Sequence, residues 1–285
     1  MISVNGIITS DDDARIPVLD HGFLFGDSVY ETLRTHRYKP FLFTRHFARM
    51  ERSARSIELT LPWTRDEMFS EACRVVDAAG RSSESRIRVT VTRGVGAVGP
   101  DPGTCKSPNV IVIVTPLAEL PESVFKEGVT VVVSSYQRTL HLADAKTGNL
   151  IRTVLAQREA RLAGAFEAIL LTPEGFLSDG ITSNVYIVKA GKVWTPSREA
   201  ASLEGITRGV VLDLARREGV AVVEGLLHSS EIESAEEMFL TSTTREVVPI
   251  VRVGDRVIAG GKPGPITLKL RSAYLRVLDS LIQED

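Results

Sequence analysis

Cysteine is nearly absent from this chain: Cys73 and Cys105 are the two in 285 residues. So sparse and distant a pair makes no disulfide framework and suits a reducing cytoplasm. No cluster of Cys and His has metal-ligand spacing, which argues against a zinc or thiolate-metal centre. Neither sign of charge dominates, with 34 Lys plus Arg against 36 Asp plus Glu and a net charge of -2. A near-neutral chain offers no field with which to hold nucleic acid or an anionic membrane, and neither is expected as a partner. Long apolar runs are missing, as is a basic stretch ahead of one, so no signal peptide or transmembrane helix is expected. There is no internal repeat and no low-complexity tract. The glycine loop Gly94-Val95-Gly96 lacks the flanking helix that a dinucleotide fingerprint needs.

What is present is the composition of an ordinary soluble globular protein, 43% hydrophobic and 25% charged. The length suits one large domain or two moderate ones. Asn5-Gly6 signals a hairpin within residues 2–8. Glycines punctuate the aromatic-rich turn at 20–27, and 29–35 reads as extended. Helical spacing runs over 45–57, with Phe47, Met50, Ala54 and Ile57 on one face. A second amphipathic helix is expected over 64–79, capped by Thr64 and stopped by Gly80. Strands are expected at 86–93 and 109–115. The proline-bearing stretch that follows reads as a linker. This places a small domain at 1–118, a linker at 119–127 and a larger domain at 128–285. In the larger part, strands are expected at 129–134, 168–172, 183–188 and 237–242, and helices at 149–163, 207–218 and 265–281. Strands and helices interleave without a regular β-α-β rhythm, so a TIM barrel or Rossmann fold is not expected.

Four segments carry candidate chemistry. Lys146 lies in Ala145-Lys146-Thr147-Gly148-Asn149, flanked by small and turn-forming residues, where a lysine can reach into a cleft. Alone, this segment reads better as a solvated surface lysine. In Leu203-Glu204-Gly205-Ile206-Thr207-Arg208, Gly205 permits close backbone approach. The N–H groups of Ile206 and Thr207 open a helix and favour an anion. A plain helix capped by Thr207 is the competing reading. Thr241-Ser242-Thr243-Thr244 is a hydroxyl-rich turn that can donate to a phosphate or be a generic Ser/Thr turn. Asp179-Gly180 precedes a strand, where a carboxylate can face a ring nitrogen. Arg49 can supply a guanidinium to a phosphate.

Taken together and in this order, these segments resemble the class IV aminotransferases, the fold-type IV family of pyridoxal-phosphate enzymes. The matching runs are 20–32, 43–54, 146–149, 167–189, 203–208 and 239–249, nearly the whole chain. The resemblance implies an α+β fold with two domains, a small α/β N-terminal domain and a larger pseudo-barrel C-terminal domain that binds pyridoxal 5'-phosphate. It implies that Lys146 is catalytic, forming the Schiff base with the cofactor and shuttling a proton. It implies Asp179 as partner of the pyridine nitrogen, where the family usually has glutamate. It assigns Arg49, Ile206, Thr207 and Thr243 to the phosphate and Leu203 to the ring. A homodimer in the cytoplasm, working on small amino and keto acids, is the implied setting, and no metal is expected.

The substrate signals divide. Arg88, in Arg86-Ile87-Arg88, falls where branched-chain enzymes carry an arginine, and the loop from Thr92 through Lys106 looks like theirs. Tyr30-Glu31-Thr32 and Ser242-Thr243-Thr244 look more like D-amino-acid enzymes. Phe25 and Leu150 stand where branched-chain enzymes often carry tyrosine. Tyr30, Arg34, Arg88 and Thr244 are the substrate-binding candidates. Arg245 is a further guanidinium without an assigned role. The first expectation is transfer from a branched-chain L-amino acid to 2-oxoglutarate by a ping-pong mechanism. D-amino-acid or (R)-amine transamination is the alternative, and an aminodeoxychorismate lyase the third choice.

Overall fold

The computed structural model describes every residue except His141, Asp144 and Asp285. It divides into two compact units. One comprises Met1–Ala118, Ala145–Asn149 and Leu278–Asp285, and the other Glu119–Asp144 and Leu150–Val277.

The first unit is a six-stranded sheet backed by two helices. Its elements are β1 (Ile2–Val4), β2 (Ile7–Thr9), α1 (His21–Phe25), β3 (Ser28–His36), β4 (Lys39–Pro40), α2 (Phe43–Ser56), α3 (Arg65–Ala79), β5 (Ser85–Thr92) and β6 (Asn109–Pro116). The sheet order is β2-β1-β6-β5-β3-β4. Asn5 and Gly6 both take positive φ, the turn conformation their sequence predicts. α3 begins with a capping box: the Thr64 side chain accepts from the Glu67 N–H while the Glu67 carboxylate accepts from the Thr64 N–H. Where a plain turn is expected at 20–27, Asp20 instead caps the short α1 through the Gly22 N–H, and Gly26 ends it in the left-handed region.

Strand alternation gives this sheet two different faces. Val29 and Leu33 of β3, with Ile87, Val89 and Val91 of β5 and Val110, Val112 and Val114 of β6, pack on Phe47 and Met50 of α2 and Met68, Ala72 and Val75 of α3. The intervening residues share the opposite face. Tyr30 pairs with Thr90, Thr32 with Arg88 and Arg34 with Arg86. The segment carrying Lys146 lies beside the start of β3, ahead of where β4 pairs with it: the Tyr30 N–H donates to the Lys146 carbonyl at 2.9 Å, and Val29 bridges Thr147.

The second unit holds α4 (Glu122–Glu127), β7 (Val129–Gln137), α5 (Ile151–Leu162), β8 (Glu167–Leu171), β9 (Leu177–Gly180), β10 (Asn184–Lys189), β11 (Lys192–Pro196), α6 (Ile206–Arg217), β12 (Val222–Gly225), β13 (Glu237–Ser242), β14 (Glu246–Val253), β15 (Arg256–Val257) and most of α7 (Pro265–Leu281). The stretch read as a linker thus contains a helix. The pairings run β10-β13-β14-β7-β8-β9 and return from β9 to β10 through Asn184 and Asp179, so six strands form a closed ring. Val131, Ile169, Leu177, Val185, Ile187, Met238, Leu240, Val248 and Ile250 from this ring make one core. Asp179 is therefore a strand residue in β9, not a turn aspartate ahead of a strand.

Candidate active site

In the first unit, Lys146 is held at three points. Its N–H donates to the Ser53 hydroxyl on α2 at 2.9 Å, its carbonyl receives the Tyr30 N–H, and its Nζ lies 4.5 Å from the centre of the Tyr30 ring. Arg88, one diagonal step from Tyr30 across β3 and β5, places its guanidinium carbon 3.8 Å from the same ring centre. The phenol is thus flanked by two cations. Burial disfavours its ionised form, but the charges of Lys146 and Arg88 outweigh that cost and hold the Tyr30 pKa below its ordinary value. Arg34 shares this sheet face, half-buried, with its Nε donating to the Thr35 carbonyl at 3.1 Å.

The core-side face of β3 carries a second cluster that no local pattern announces. Glu31 accepts Nε of Arg49 at 2.7 Å and Nη2 at 2.6 Å, a two-point fork, and lies 2.7 Å from Nδ1 of His46. His46 and Arg49 are one helical turn apart on α2, so both point at the same strand residue. All three are buried. Burial would raise the Glu31 pKa, yet Arg49 and then His46 drive it far below the usual carboxylate range. Burial lowers the His46 pKa, and the pull of Glu31 in the other direction does not restore it. Arg49, expected at the phosphate, is oriented by the Glu31 fork.

In the second unit, the Asp179 carboxylate is surrounded by donors. Oδ1 accepts Nδ2 of Asn184 at 2.9 Å and the Ser202 hydroxyl at 2.7 Å; Oδ2 accepts the Leu203 N–H at 2.8 Å and sits 3.3 Å from Nη1 of Arg138. Asn184 also donates to the Leu203 carbonyl at 2.7 Å. A Cβ on Gly205 would collide with the Asn184 amide, so only glycine lets this loop close on the strand. Asn184 in turn pairs with Thr241 on β13. The acid, the 202–207 loop and the end of β13 are thereby tied to one residue.

α6 opens at Ile206, with Gly205 rather than Thr207 as N-cap, so Ile206 and Thr207 occupy its first turn. Gly205 has no side chain with which to cap that turn, the arrangement that leaves helix N–H groups to an anion. Thr243 and Thr244 lie in the turn from β13 to β14. The hydroxyls of Ser242 and Ser183 are buried with no partner among the described residues. An uncapped helix start, hydroxyls and a buried orphan fit a phosphate, and a lysine with a separate buried carboxylate fits an aldehyde cofactor with a ring nitrogen. Among the described residues no group of His, Cys, Asp and Glu could hold a metal ion, and no helix is long and apolar enough to cross a membrane.

The sequence candidates thus separate into two sets, Lys146, Tyr30, Arg34, Arg88 and Arg49 in one unit and Asp179, Leu203, Ile206, Thr207, Thr243 and Thr244 in the other. Sequence reasoning missed Glu31, His46 and Ser53 in the first and Arg138, Asn184 and Ser202 in the second. All but Ser202, which precedes Leu203, join their partners across long sequence distances or across neighbouring strands. Only the Tyr30-Glu31 dipeptide, a carboxylate between Val29 and Leu33 on one strand face, offered a signal.

Known proteins match this arrangement over nearly its full length. The family model "Amino-transferase class IV" matches residues 28–253. A Methanocaldococcus jannaschii protein assigned to the branched-chain-amino-acid aminotransferases is 36% identical over 277 residues, 96% of this chain and 94% of that protein. D-alanine aminotransferase of Listeria monocytogenes is 33% identical over 280 residues, with 96% and 94% covered. The crystal structure of a T.th. branched-chain amino acid aminotransferase with pyridoxamine 5'-phosphate superposes with a TM-score of 0.91 at 30% identity, covering 99% of this chain and 95% of that one.

Proposed function

The chain belongs to the class IV aminotransferases, and from that premise we propose that it moves the amino group of a branched-chain L-amino acid to 2-oxoglutarate in two half-reactions. The fold is fold type IV, as the order of motifs implies. The family depends on pyridoxal phosphate, which supplies an aldehyde that takes up amines and a ring that withdraws electrons from the carbon beside the nitrogen.

In our reading, the chain's own residues divide the remaining work. Lys146 would hold the cofactor through Nζ, and its amine would move the proton on the substrate α-carbon. Asp179, backed by Arg138 and three neutral donors, would face the ring nitrogen. Leu203 would pack on the ring, and Arg49, Ile206, Thr207 and Thr243 would take the phosphate. Tyr30, Arg34, Arg88 and Thr244 receive the substrate.

Arg88 over Tyr30, next to Lys146, is the observation that carries the substrate class. A guanidinium and a phenol beside the reacting amine favour a substrate with a carboxylate on its α-carbon over a plain amine. The arginine at this place in β5 is a branched-chain feature. The D-amino-acid reading retains two observations of its own: Tyr30-Glu31-Thr32 and Ser242-Thr243-Thr244 resemble that group, and a D-alanine aminotransferase is among the relatives. Half-reactions separate them. Protein loaded with pyridoxal phosphate should be yellow, and L-leucine should bleach the visible band faster than D-alanine or (R)-1-phenylethylamine. Faster bleaching by D-alanine would replace the branched-chain reading, and a colourless protein that takes up no cofactor would end both.

We also propose a homodimer in the cytoplasm. Val18, Leu19, Phe23 and Phe25 expose apolar surface within one short stretch, and the Asp20–Val95 bridge brings Val95 beside it. Such a cluster is a docking surface more often than a solvated one. Cys73 and Cys105 are unpaired thiols, as a reducing compartment allows.

A further inference from the structure

Arg245 sits in the turn from β13 to β14, immediately after Thr243 and Thr244, and its Nη1 lies 2.7 Å from Oε2 of Glu167 on β8. This is not an ordinary surface pair. The Glu167 side chain is 1% exposed and that of Arg245 28%, so the carboxylate is compensated inside the protein. Arg245 also lies over the Phe166 ring, 5.1 Å from its centre. The other oxygen of Glu167 accepts the Thr182 N–H at 2.6 Å. Gly180 packs so closely on Glu167 that a Cβ there would touch its carboxylate.

Glu167 therefore joins two turns. One is the β9–β10 turn, residues 181–183, which lies between the strands that carry Asp179 and Asn184. The other is the β13–β14 turn, which carries Thr243 and Thr244. We propose that Arg245 is a positioning residue: through Glu167 it fixes the Thr243-Thr244 turn against the β9–β10 turn that follows Asp179 and Gly180, and so sets the distance between the group for the ring nitrogen and the hydroxyls for the phosphate. The inference rests on the cofactor reading above. A turn tied only by its own strands can shift, and a supporting shell that is loose by an ångström is enough to spoil a constellation of this kind. Removing the guanidinium also leaves a buried carboxylate without its cation, which pushes Glu167 to rearrange.

The test uses cofactor-free protein titrated with pyridoxal phosphate, reading affinity by fluorescence and the phosphorus resonance of the bound cofactor. The pH is varied from about 5 to about 8, across the second ionisation of a phosphate monoester. In the unmodified protein the resonance should stay fixed, because the phosphate is enclosed. In Arg245→Met it should titrate, and Kd should rise about tenfold, the scale of one lost charged contact. Arg245→Lys should recover most of the affinity, because it keeps the cation. Unaltered resonance and affinity in Arg245→Met, with only a lower Tm, would reduce the pair to a stability role and overturn the inference. Should Arg245→Met not fold, Glu167→Gln decides by the same two readouts: a fixed resonance and unchanged Kd in it overturn the inference. If the unmodified protein binds no cofactor, the cofactor reading itself falls, an outcome distinct from failure of the Arg245 variants alone.

Discussion

Arg88 and Tyr30 are stacked, guanidinium carbon to ring centre at 3.8 Å, because their strands pair with Thr32 opposite Arg88. The diagonal neighbour of Arg88 is then Tyr30, and Lys146 closes on the same ring from the other strand edge. The two cations favour the phenolate. Tyr30 should therefore ionise below the ordinary tyrosine range of about 10. In an ultraviolet tyrosinate titration, Tyr30→Phe should lose the earliest step. Arg88→Met should move that step to higher pH, since a lost cation destabilises the anion. An unchanged profile in both variants would remove the coupling.

Lys146→Ala should leave the fold intact but remove covalent capture of the cofactor. Borohydride should then fix no pyridoxyl group to the chain, as read by intact mass. Turnover should fall by at least about 10²- to 10⁴-fold, the usual contribution of a positioned proton-transfer group. A pyridoxyl group still fixed in that variant would move the role to another lysine.

His46 should make stability depend on pH. Its folded pKa is depressed, chiefly by burial. Below about 6.5 the unfolded chain takes a proton that the folded chain refuses. The stabilisation is complete above about 6.5 and is lost as pH falls toward the lower, folded value. His46→Asn keeps a donor toward Glu31 without the titration, so its Tm should decline less than the parent's from about pH 7 to about pH 5. Equal slopes would contradict the assignment.

Glu31→Gln should destabilise by about 3–5 kcal/mol, because it removes the carboxylate that compensates the buried Arg49 charge. Double replacement with Arg49→Met should recover part of that loss, since no charge is then left buried. Denaturant midpoints measure both.

Asp179→Asn should cost about 1–3 kcal/mol of stability. Four donors converge on the carboxylate, two on each oxygen, so whichever way an amide turns, its NH₂ faces a donor pair. Cofactor affinity should fall as well. A Tm equal to the parent's would show that the four contacts are dispensable.

Much of the local structure could be read from the chain. Thr64 and Gly80 bound α3 because capping chemistry is local, and Asn5-Gly6 makes its hairpin because the φ preferences of those two residues are intrinsic. Helix α1 and strand β9 were not legible. Five residues of α1 carry too little periodicity to rise above the glycines around them, and four residues of β9 acquire strand geometry only by pairing with β8 and β10. At the site, Lys146, Asp179 and the Gly205-Ile206-Thr207 start of α6 were legible as motifs. Their supports were not, since Ser53 lies 93 residues from Lys146 and Arg138 lies 41 from Asp179 by residue number.

The sequence by itself determined which chemical groups this protein has and in what order: a lysine between small residues, an aspartate before a glycine, a glycine at a helix start, a hydroxyl-rich turn. Those are properties of residue type and near neighbours. Tertiary structure alone decided what each group touches. Burial made Glu31 the partner of Arg49 and His46 instead of a solvated strand residue, closure of the ring through Asn184 and Asp179 gathered donors on one carboxylate, and strand register set Arg88 against Tyr30. Charge, hydrogen bonding and desolvation act over a few ångströms of space, and pairing of distant strands, not position along the chain, sets those few ångströms.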